Sequence, residues 1–357
     1  MLTGNKGEWS EVYTLLKLLG DGKLYAADGN LDPRDDLYFP IIKVIRDEPS
    51  GNHVELLVDN DAKTVQATIN GKRGATVSQD DLLDEARFLL GELKGPHDSA
   101  AFPIERTEYA MVSLGCEKLK AASTDKTDIT VQLHDSQTGF DPFCGFSIKS
   151  EIGNASTLLN ATRATNFVYK VNGLSQNDID SINAIEGSKK ILDRMNAIFS
   201  QSRSVQFQRV NNDIFAENLM FIDSRMDEIL AEALIIHYRD NIKRVADVVG
   251  VLEEDNPLGF PVEGLYRYKV KKFLVAVALG FQPSKRWDGR DEANGGYIIV
   301  TTSGDAVAYH TYNRDLFEDY LLDSTHFERG STSRHDFASL YSSGKTTLLN
   351  LNLQIRF

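Results

Sequence analysis

A carboxylate and a lysine stand at opposite ends of a β-rich stretch, residues 126–152, in which Asp128 opens one strand-like segment and Lys149 closes the next. Between the two segments lie the turn-forming residues Ser136, Thr138, Gly139, Asp141 and Pro142. A hairpin centred within this turn would place Asp128 opposite Lys149. Ser147 would lie on the same face as Lys149, because side chains alternate along a strand. The pattern therefore predicts a carboxylate and an ammonium group side by side on paired strands.

This pairing suits the hydrolysis of a phosphodiester. A carboxylate such as Asp128 can hold a divalent metal ion, which stabilises charge on the scissile phosphate and lowers the pKa of a bound water. The ammonium group of Lys149 can orient or activate that water and offset negative charge in the transition state. The spacing is a weak signal, because it is also typical of a surface hairpin of ordinary polar residues. On spacing alone, both interpretations remain open.

The elements that must position the hairpin can be predicted from hydrophobic periodicity. Apolar residues recur at helical spacing from Trp9 to Leu19, and glycines follow as stop signals. The other predicted segments are short strands at 38–75 with an Asn70-Gly71 hairpin turn, a helix at 78–93, a helix at 175–200, helices at 224–251, a strand at 297–302 followed by a second strand, and a terminal strand at 346–357.

These segments predict an α/β fold of the mixed α+β kind. We expect a central mixed sheet that carries the catalytic hairpin and is flanked by helices. A seam near residue 200 would divide the chain into an N-terminal helix and catalytic core at 1–200 and an α+β region at 201–357 that grips the substrate. The length of 357 residues is sufficient for one large domain or two ordinary ones.

Composition limits the class of protein without deciding it. The net charge of −13 does not by itself indicate a nucleic-acid partner, although residues 266–272 form a local basic and aromatic cluster. Cys116 and Cys144 match no zinc-ligand spacing. The N-terminus lacks an apolar segment, and the apolar run 273–281 is well short of the ~20 residues needed to cross a bilayer. A cytoplasmic protein with no membrane partner is expected.

Several blocks of the sequence resemble a known family. The hairpin with Gly145-Phe146-Ser147-Ile148-Lys149-Ser150, together with residues 156–160 and 164–167, resembles the catalytic core of type II restriction endonucleases of the PD-(D/E)xK superfamily. The blocks that resemble the HpaII family are 4–11, 296–300, 309–314, 319–321, 331–335 and 351–357. The resemblance implies a restriction-endonuclease-like fold, Mg²⁺ as cofactor, and cleavage of double-stranded DNA at CCGG. A palindromic target implies a homodimer, although a monomer that cuts in two steps is not excluded.

One residue departs from the superfamily pattern, which expects an acid where this chain has Ser147. A second metal-binding carboxylate must then come from elsewhere. Glu11 on the N-terminal helix is the first candidate, with Glu8 one turn away, and Glu151 is the second. The predicted catalytic residues are Asp128, Ser147, Lys149 and Glu11, and the predicted metal ligands are Asp128, Glu11 and Glu151.

Three regions are candidates for contacts with DNA. The polar run after the catalytic strand contributes Asn154, Thr157, Asn160 and Arg163. Lys269 and Lys271 suit contacts to the phosphate backbone, whereas Arg334 and His335 lie in a block that suits base contacts. Two alternatives from other classes remain open: a nuclease-fold protein that binds DNA without cutting it, and an acidic protein that interacts with partners other than DNA.

Overall fold

The computed structural model describes residues 1–97, 100–121, 126–153, 156–310 and 313–357. The chain forms two compact units, Met1–Ser156 with Asp291–Phe317, and Thr157–Arg290 with Glu318–Phe357. This division differs from the predicted one at residue 200. The first unit ends earlier, and it regains residues 291–317 because strands in that segment pair with the first sheet.

The strands, in chain order, are β1 (Thr3–Gly4), β2 (Lys23–Ala27), β3 (Pro33–Asp47), β4 (His53–Asp59), β5 (Thr64–Ile69), β6 (Lys72–Ser78), β7 (Phe102–Pro103), β8 (Ile129–Leu133), β9 (Phe143–Ser150), β10 (Thr157–Leu159), β11 (Asn166–Asn172), β12 (Ser204–Val210), β13 (Gly296–Val300), β14 (Ala306–His310), β15 (His326–Phe327), β16 (Leu340–Ser343), β17 (Thr346–Asn352) and β18 (Ile355–Arg356). The helices are α1 (Lys6–Asp21), α2 (Gln79–Lys94), α3 (Glu105–Ser113), α4 (Gln176–Asn183), α5 (Lys190–Gln201), α6 (Asp213–Ile222), α7 (Met226–Asp240), α8 (Val245–Asp255), α9 (Leu265–Leu279), α10 (Arg314–Ser324) and α11 (Thr332–His335), with a 3₁₀ turn at Arg163–Thr165.

The first unit is built on a nine-stranded sheet in the order β2-β14-β13-β9-β8-β3-β4-β5-β6. The sheet is mixed, because β13 runs parallel to β9 and β14 parallel to β2, whereas the other pairs are antiparallel. The predicted mixed α/β class with a central sheet is therefore confirmed. The β8–β9 hairpin lies in the middle of this sheet, and every residue of its neighbour β13 is buried.

Helix α1 begins at Lys6, three residues before the apolar periodicity that predicted it. It ends at Asp21, before Gly22, which is one of the glycines expected as stop signals. The Asn5 side chain accepts a hydrogen bond from the backbone of Glu8, whose carboxylate accepts one from the backbone of Asn5, so the two form a capping box. Gly22 ends the helix in the left-handed conformation at φ 62°. The apolar face, including Trp9 and Leu16, is completely buried. This packing fixes α1 against β9 and brings Glu11 to the hairpin.

The second unit contains a four-stranded antiparallel sheet, β12-β11-β17-β16, and a three-stranded sheet, β10-β18-β15. Helix α7 packs on the first of these, and the Tyr169 hydroxyl donates to the Ala231 carbonyl at 2.8 Å. The single helix predicted at 175–200 is wrong, since α4 and α5 are separated by Gly187 at φ 116°. Within the described residues, no helix has the length and apolar character needed to span a membrane.

Candidate active site

The register of the β8–β9 hairpin differs from the prediction by two residues. Ile129 pairs with Phe146, and the Asp128 amide donates to the Phe146 carbonyl at 2.9 Å, so Asp128 lies opposite Ser147 and not opposite Lys149. The cause is a tight loop that closes at an Asp135–Phe140 bridge. A shift of two residues keeps the same side chains on the same face. Asp128, Ser147 and Lys149 therefore still belong to one site.

The Asp128 carboxylate is held by three donors. Its Oδ2 accepts from the Ser147 hydroxyl at 3.1 Å and from the Ile148 amide at 2.8 Å. Its Oδ1 accepts from Lys120 Nζ at 3.0 Å. The Asp128 side chain is only 12% exposed to solvent. Because Oδ2 is committed to the neighbouring strand, Oδ1 is the oxygen that faces the rest of the site.

Glu11 brings a second carboxylate to Asp128 from helix α1. Its Oε1 lies 3.7 Å from Lys120 Nζ, and its Oε2 is buried without a hydrogen-bond partner in the described part of the chain. Burial and then repulsion from Asp128 raise the pKa of Glu11 to about 7, against the opposing effect of Lys120. Because Lys120 Nζ also lies 3.0 Å from Asp128 Oδ1, a single cation already contacts both carboxylates.

Lys149 follows Ser147 on the same face of β9. Burial lowers the pKa of its ammonium group, although the Asp128 and Glu11 carboxylates act in the opposite direction. Its Nζ lies 5.5 Å from the centre of the Tyr297 ring, and it forms no ion pair with any described residue. Lys149 and Glu11 line one pocket, of ≈ 560 Å³, together with Lys6. The side chain of Lys149 is therefore directed to the same pocket as the Glu11 carboxylate.

The other two acidic candidates, Glu151 and Glu8, have carboxylates that are engaged outside the site. Glu151 is exposed, and its Oε2 accepts from the Thr302 amide at 3.2 Å. It is absent from the charges that perturb the pKa of Glu11 or Lys149. Glu8 contributes to the raised pKa of Glu11, but its own carboxylate is engaged in the cap of α1. The geometry thus favours Glu11 over Glu151 as the partner of Asp128.

The Asp128–Glu11 pair has the chemistry that a magnesium ion requires. Mg²⁺ prefers oxygen ligands, and proteins commonly bind it through one or two carboxylates while water and substrate phosphates complete the shell. The unpartnered Oε2 of Glu11 and the Lys120 ammonium beside both carboxylates mark a place for positive charge. Among the described residues no cluster of three or more histidine, cysteine or acidic side chains is found.

Sequence analysis missed Lys120. It lies outside the hairpin motif and follows a loop whose backbone is anchored by buried Arg46, which donates to the carbonyls of Lys118 at 2.8 Å and Leu119 at 3.4 Å. An ion pair with Glu48 at 2.9 Å holds Arg46 in turn. These contacts join residues that are far apart in the sequence, so no local pattern around Lys120 predicts them.

The predicted DNA-contacting residues of the second unit differ in their exposure and in their ion pairs. Lys269 is paired with Asp223 and Lys271 with Asp319, so neither ammonium is free of an acidic partner. Arg163 forms a more exposed pair with Asp336 at 2.8 Å.

Arg334 is exposed and has no ion-pair partner in the described ranges, and His335 beside it is half-buried. Thr157 lies in β10, Asn160 is exposed just beyond it, and Asn154 falls outside the described residues.

A mixed sheet that presents an aspartate, a lysine two residues beyond its cross-strand partner and a second carboxylate from a helix has the residue types expected of a metal-dependent nuclease. The family model described as HpaII restriction endonuclease matches residues 5–357, and the chain belongs to this family. The chain is 38% identical over 358 residues to the type II restriction enzyme HpaII of Haemophilus parainfluenzae. The alignment covers 99% of this chain and 98% of that protein. No solved structure matches significantly. The chain is therefore a type II site-specific deoxyribonuclease.

Proposed function

We propose that this chain is a Mg²⁺-dependent restriction endonuclease that hydrolyses one phosphodiester in each strand of double-stranded DNA at CCGG. The target is the one implied by the resemblance to the HpaII family. The observation that carries the metal-dependent chemistry is the convergence of two carboxylates and a lysine. Lys120 contacts both Asp128 and Glu11, and Glu11 lines one pocket with Lys149. The enzyme would act in the cytoplasm.

Asp128 and Glu11 would hold the ion, which when bound supplies positive charge to the scissile phosphate and a water of lowered pKa. Ser147 orients Asp128 by donating to its Oδ2, so that Oδ1 stays directed into the site. Lys149 would position the attacking water and offset negative charge in the transition state.

DNA would be held by residues of the second unit. Arg334 is the strongest candidate for a base contact, because it is exposed and makes no ion pair with a described residue. Asn160 and Arg163 are candidates for phosphate or base contacts, and Thr157 and His335 for secondary ones. Because Lys269 and Lys271 already have acidic partners, they contribute little net positive charge. A homodimer on the palindromic target would deliver both cuts, and sedimentation with and without a CCGG duplex would test this.

The deciding experiment incubates the protein with a plasmid of known sequence and Mg²⁺. Discrete fragments ending at CCGG support the proposal, retarded but intact DNA would support a binding protein without cleavage, and no shift at low salt would support an acidic protein with other partners. Lys149→Ala should abolish cleavage and leave DNA binding within about tenfold, since Lys149 acts on the transition state. Cleavage by this variant at the wild-type rate would contradict the assignment of Lys149.

A further inference from the structure

Lys120 stands at the position of the site where a divalent ion would have to bind. Its Nζ lies 3.0 Å from Asp128 Oδ1 and 3.7 Å from Glu11 Oε1. The other oxygen of Asp128 is already occupied by the Ser147 hydroxyl and the Ile148 amide. An ion that bridges Asp128 and Glu11 must therefore approach through Oδ1, which is the oxygen that Lys120 holds.

The location of Lys120 is built into the fold, whereas its side chain is free to leave. Buried Arg46 fixes the carbonyls of the two preceding residues, and the Leu119 side chain is only 6% exposed. The Lys120 side chain, in contrast, is 47% exposed to solvent. Its ammonium can thus swing into solvent on its long aliphatic stem while the backbone stays in place.

We propose that Lys120 is the internal counter-cation of the metal-free site, and that a divalent ion binds by displacing its ammonium from Asp128 and Glu11. This rests on the proposed metal-binding role of those two carboxylates. Lys120 keeps the paired negative charges together before the metal arrives, and it lowers the apparent affinity for the metal because both cations compete for the same oxygens. Lys120 is a positioning residue, and its role differs from that proposed for Lys149.

The test measures metal binding directly, without DNA and without turnover. Free Mn²⁺ is titrated into the full-length protein at constant ionic strength and followed by its electron paramagnetic resonance signal. Lys120→Met should bind Mn²⁺ about two- to fivefold more tightly than the wild type, the range expected for removing a partly exposed competing ion pair. Lys120→Arg, which keeps the charge, should stay close to the wild type. Lys118→Met is the matched control, because Lys118 is exposed and forms no ion pair in the described part of the chain.

The outcomes separate this inference from the proposed function. Unchanged or weaker Mn²⁺ binding by Lys120→Met, or equal tightening by Lys118→Met, would overturn the competition. Asp128→Asn should remove Mn²⁺ binding at this site, and if it does not, the metal site itself is wrongly placed. Thermal melting of each variant in EDTA shows that it is folded, so that a loss of binding cannot be confused with a loss of structure.

Discussion

Replacing Glu11 by Gln tests whether the helix α1 carboxylate completes the active centre. The substitution keeps the shape of the side chain and removes its charge. Glu151→Gln is the matched control, because Glu151 is also acidic and close in sequence to Lys149, but its carboxylate bonds to the Thr302 amide. Glu11→Gln should lose cleavage, whereas Glu151→Gln should cut within about threefold of the wild type, as expected for a surface carboxylate.

The magnitude follows from electrostatics. A carboxylate about 4 Å from a unit positive charge contributes about 4 kcal/mol at an effective dielectric constant of about 20, and each ~1.4 kcal/mol corresponds to a factor of ten. Loss of the Glu11 charge beside a divalent ion should therefore reduce cleavage at limiting Mg²⁺ by about a hundredfold to a thousandfold. A higher Mg²⁺ concentration should recover part of the loss, because the defect lies in metal binding.

The same substitution should stabilise the metal-free protein. The pKa of Glu11 is raised from 4.5 to about 7 in the folded state, so the folded protein binds this proton more tightly than the unfolded chain does. The resulting contribution to the free energy of unfolding is fully present below pH 4.5 and is lost as the pH rises through 7. At pH 8, Glu11→Gln removes a penalty of up to about 3 kcal/mol. Chemical denaturation in EDTA measures it, and higher stability combined with lower activity excludes misfolding as the cause.

The assay is single-turnover cleavage of a short duplex with one CCGG site, with Mg²⁺ titrated over at least two decades. Full activity of Glu11→Gln at low Mg²⁺ would refute the assignment of Glu11. Loss of activity in Glu151→Gln, with Glu11→Gln active, would exchange the two roles.

Three further predictions concern other parts of the chain. Ser147→Ala removes one donor to Asp128 and should slow cleavage by about tenfold in the same assay, with rates near the wild type counting against an orienting role. Arg334→Ala should weaken DNA binding and reduce its salt dependence by about one counterion in fluorescence anisotropy, whereas Lys269→Gln should leave the slope unchanged because Lys269 is already neutralised. Burial lowers the pKa of His237 from 6.5 to about 4, against the Ile242 carbonyl bond. The contribution of His237 to the free energy of unfolding should therefore fall as the pH drops from 6.5 to 4. Relative to the wild type, His237→Gln should gain stability over this window, and an unchanged difference between the two proteins would contradict this.

Local sequence signals were sufficient for the elements whose ends depend on nearby residues. The predicted Asn70-Gly71 turn places both residues at positive φ, 50° and 75°, and the helix predicted from the apolar residues between Trp9 and Leu19 is present as α1. The return of β13 and β14 to the first sheet could not be predicted in this way. Gly296 starts β13 at φ 106°, where a Cβ would lie 2.0 Å from the Tyr309 carbonyl oxygen, but its parallel pairing with β9 depends on contacts across the chain.

The candidate site was predictable in its residue types and only partly in its geometry. Turn-forming residues spread over 136–142 did not fix where the hairpin closes, so the predicted register was displaced by two residues. The period of two along a strand tolerated this error, because Ser147 and Lys149 share a face in either register. The position of Lys120 could not be predicted in this way, because it depends on the buried Arg46 and not on any local pattern.

The serine at position 147 and the helix-borne Glu11 are two parts of one arrangement. Ser147 is 3% exposed and donates to Asp128, whereas an ionised acid at this position could only accept a hydrogen bond. It would also add a third negative charge beside Asp128 and Glu11, whose pKa is already raised to about 7 by burial and by that neighbour. Closely spaced carboxylates cannot all remain ionised without a cation. With serine at 147, the site keeps two carboxylates, one from β8–β9 and one from α1, and Lys120 balances them.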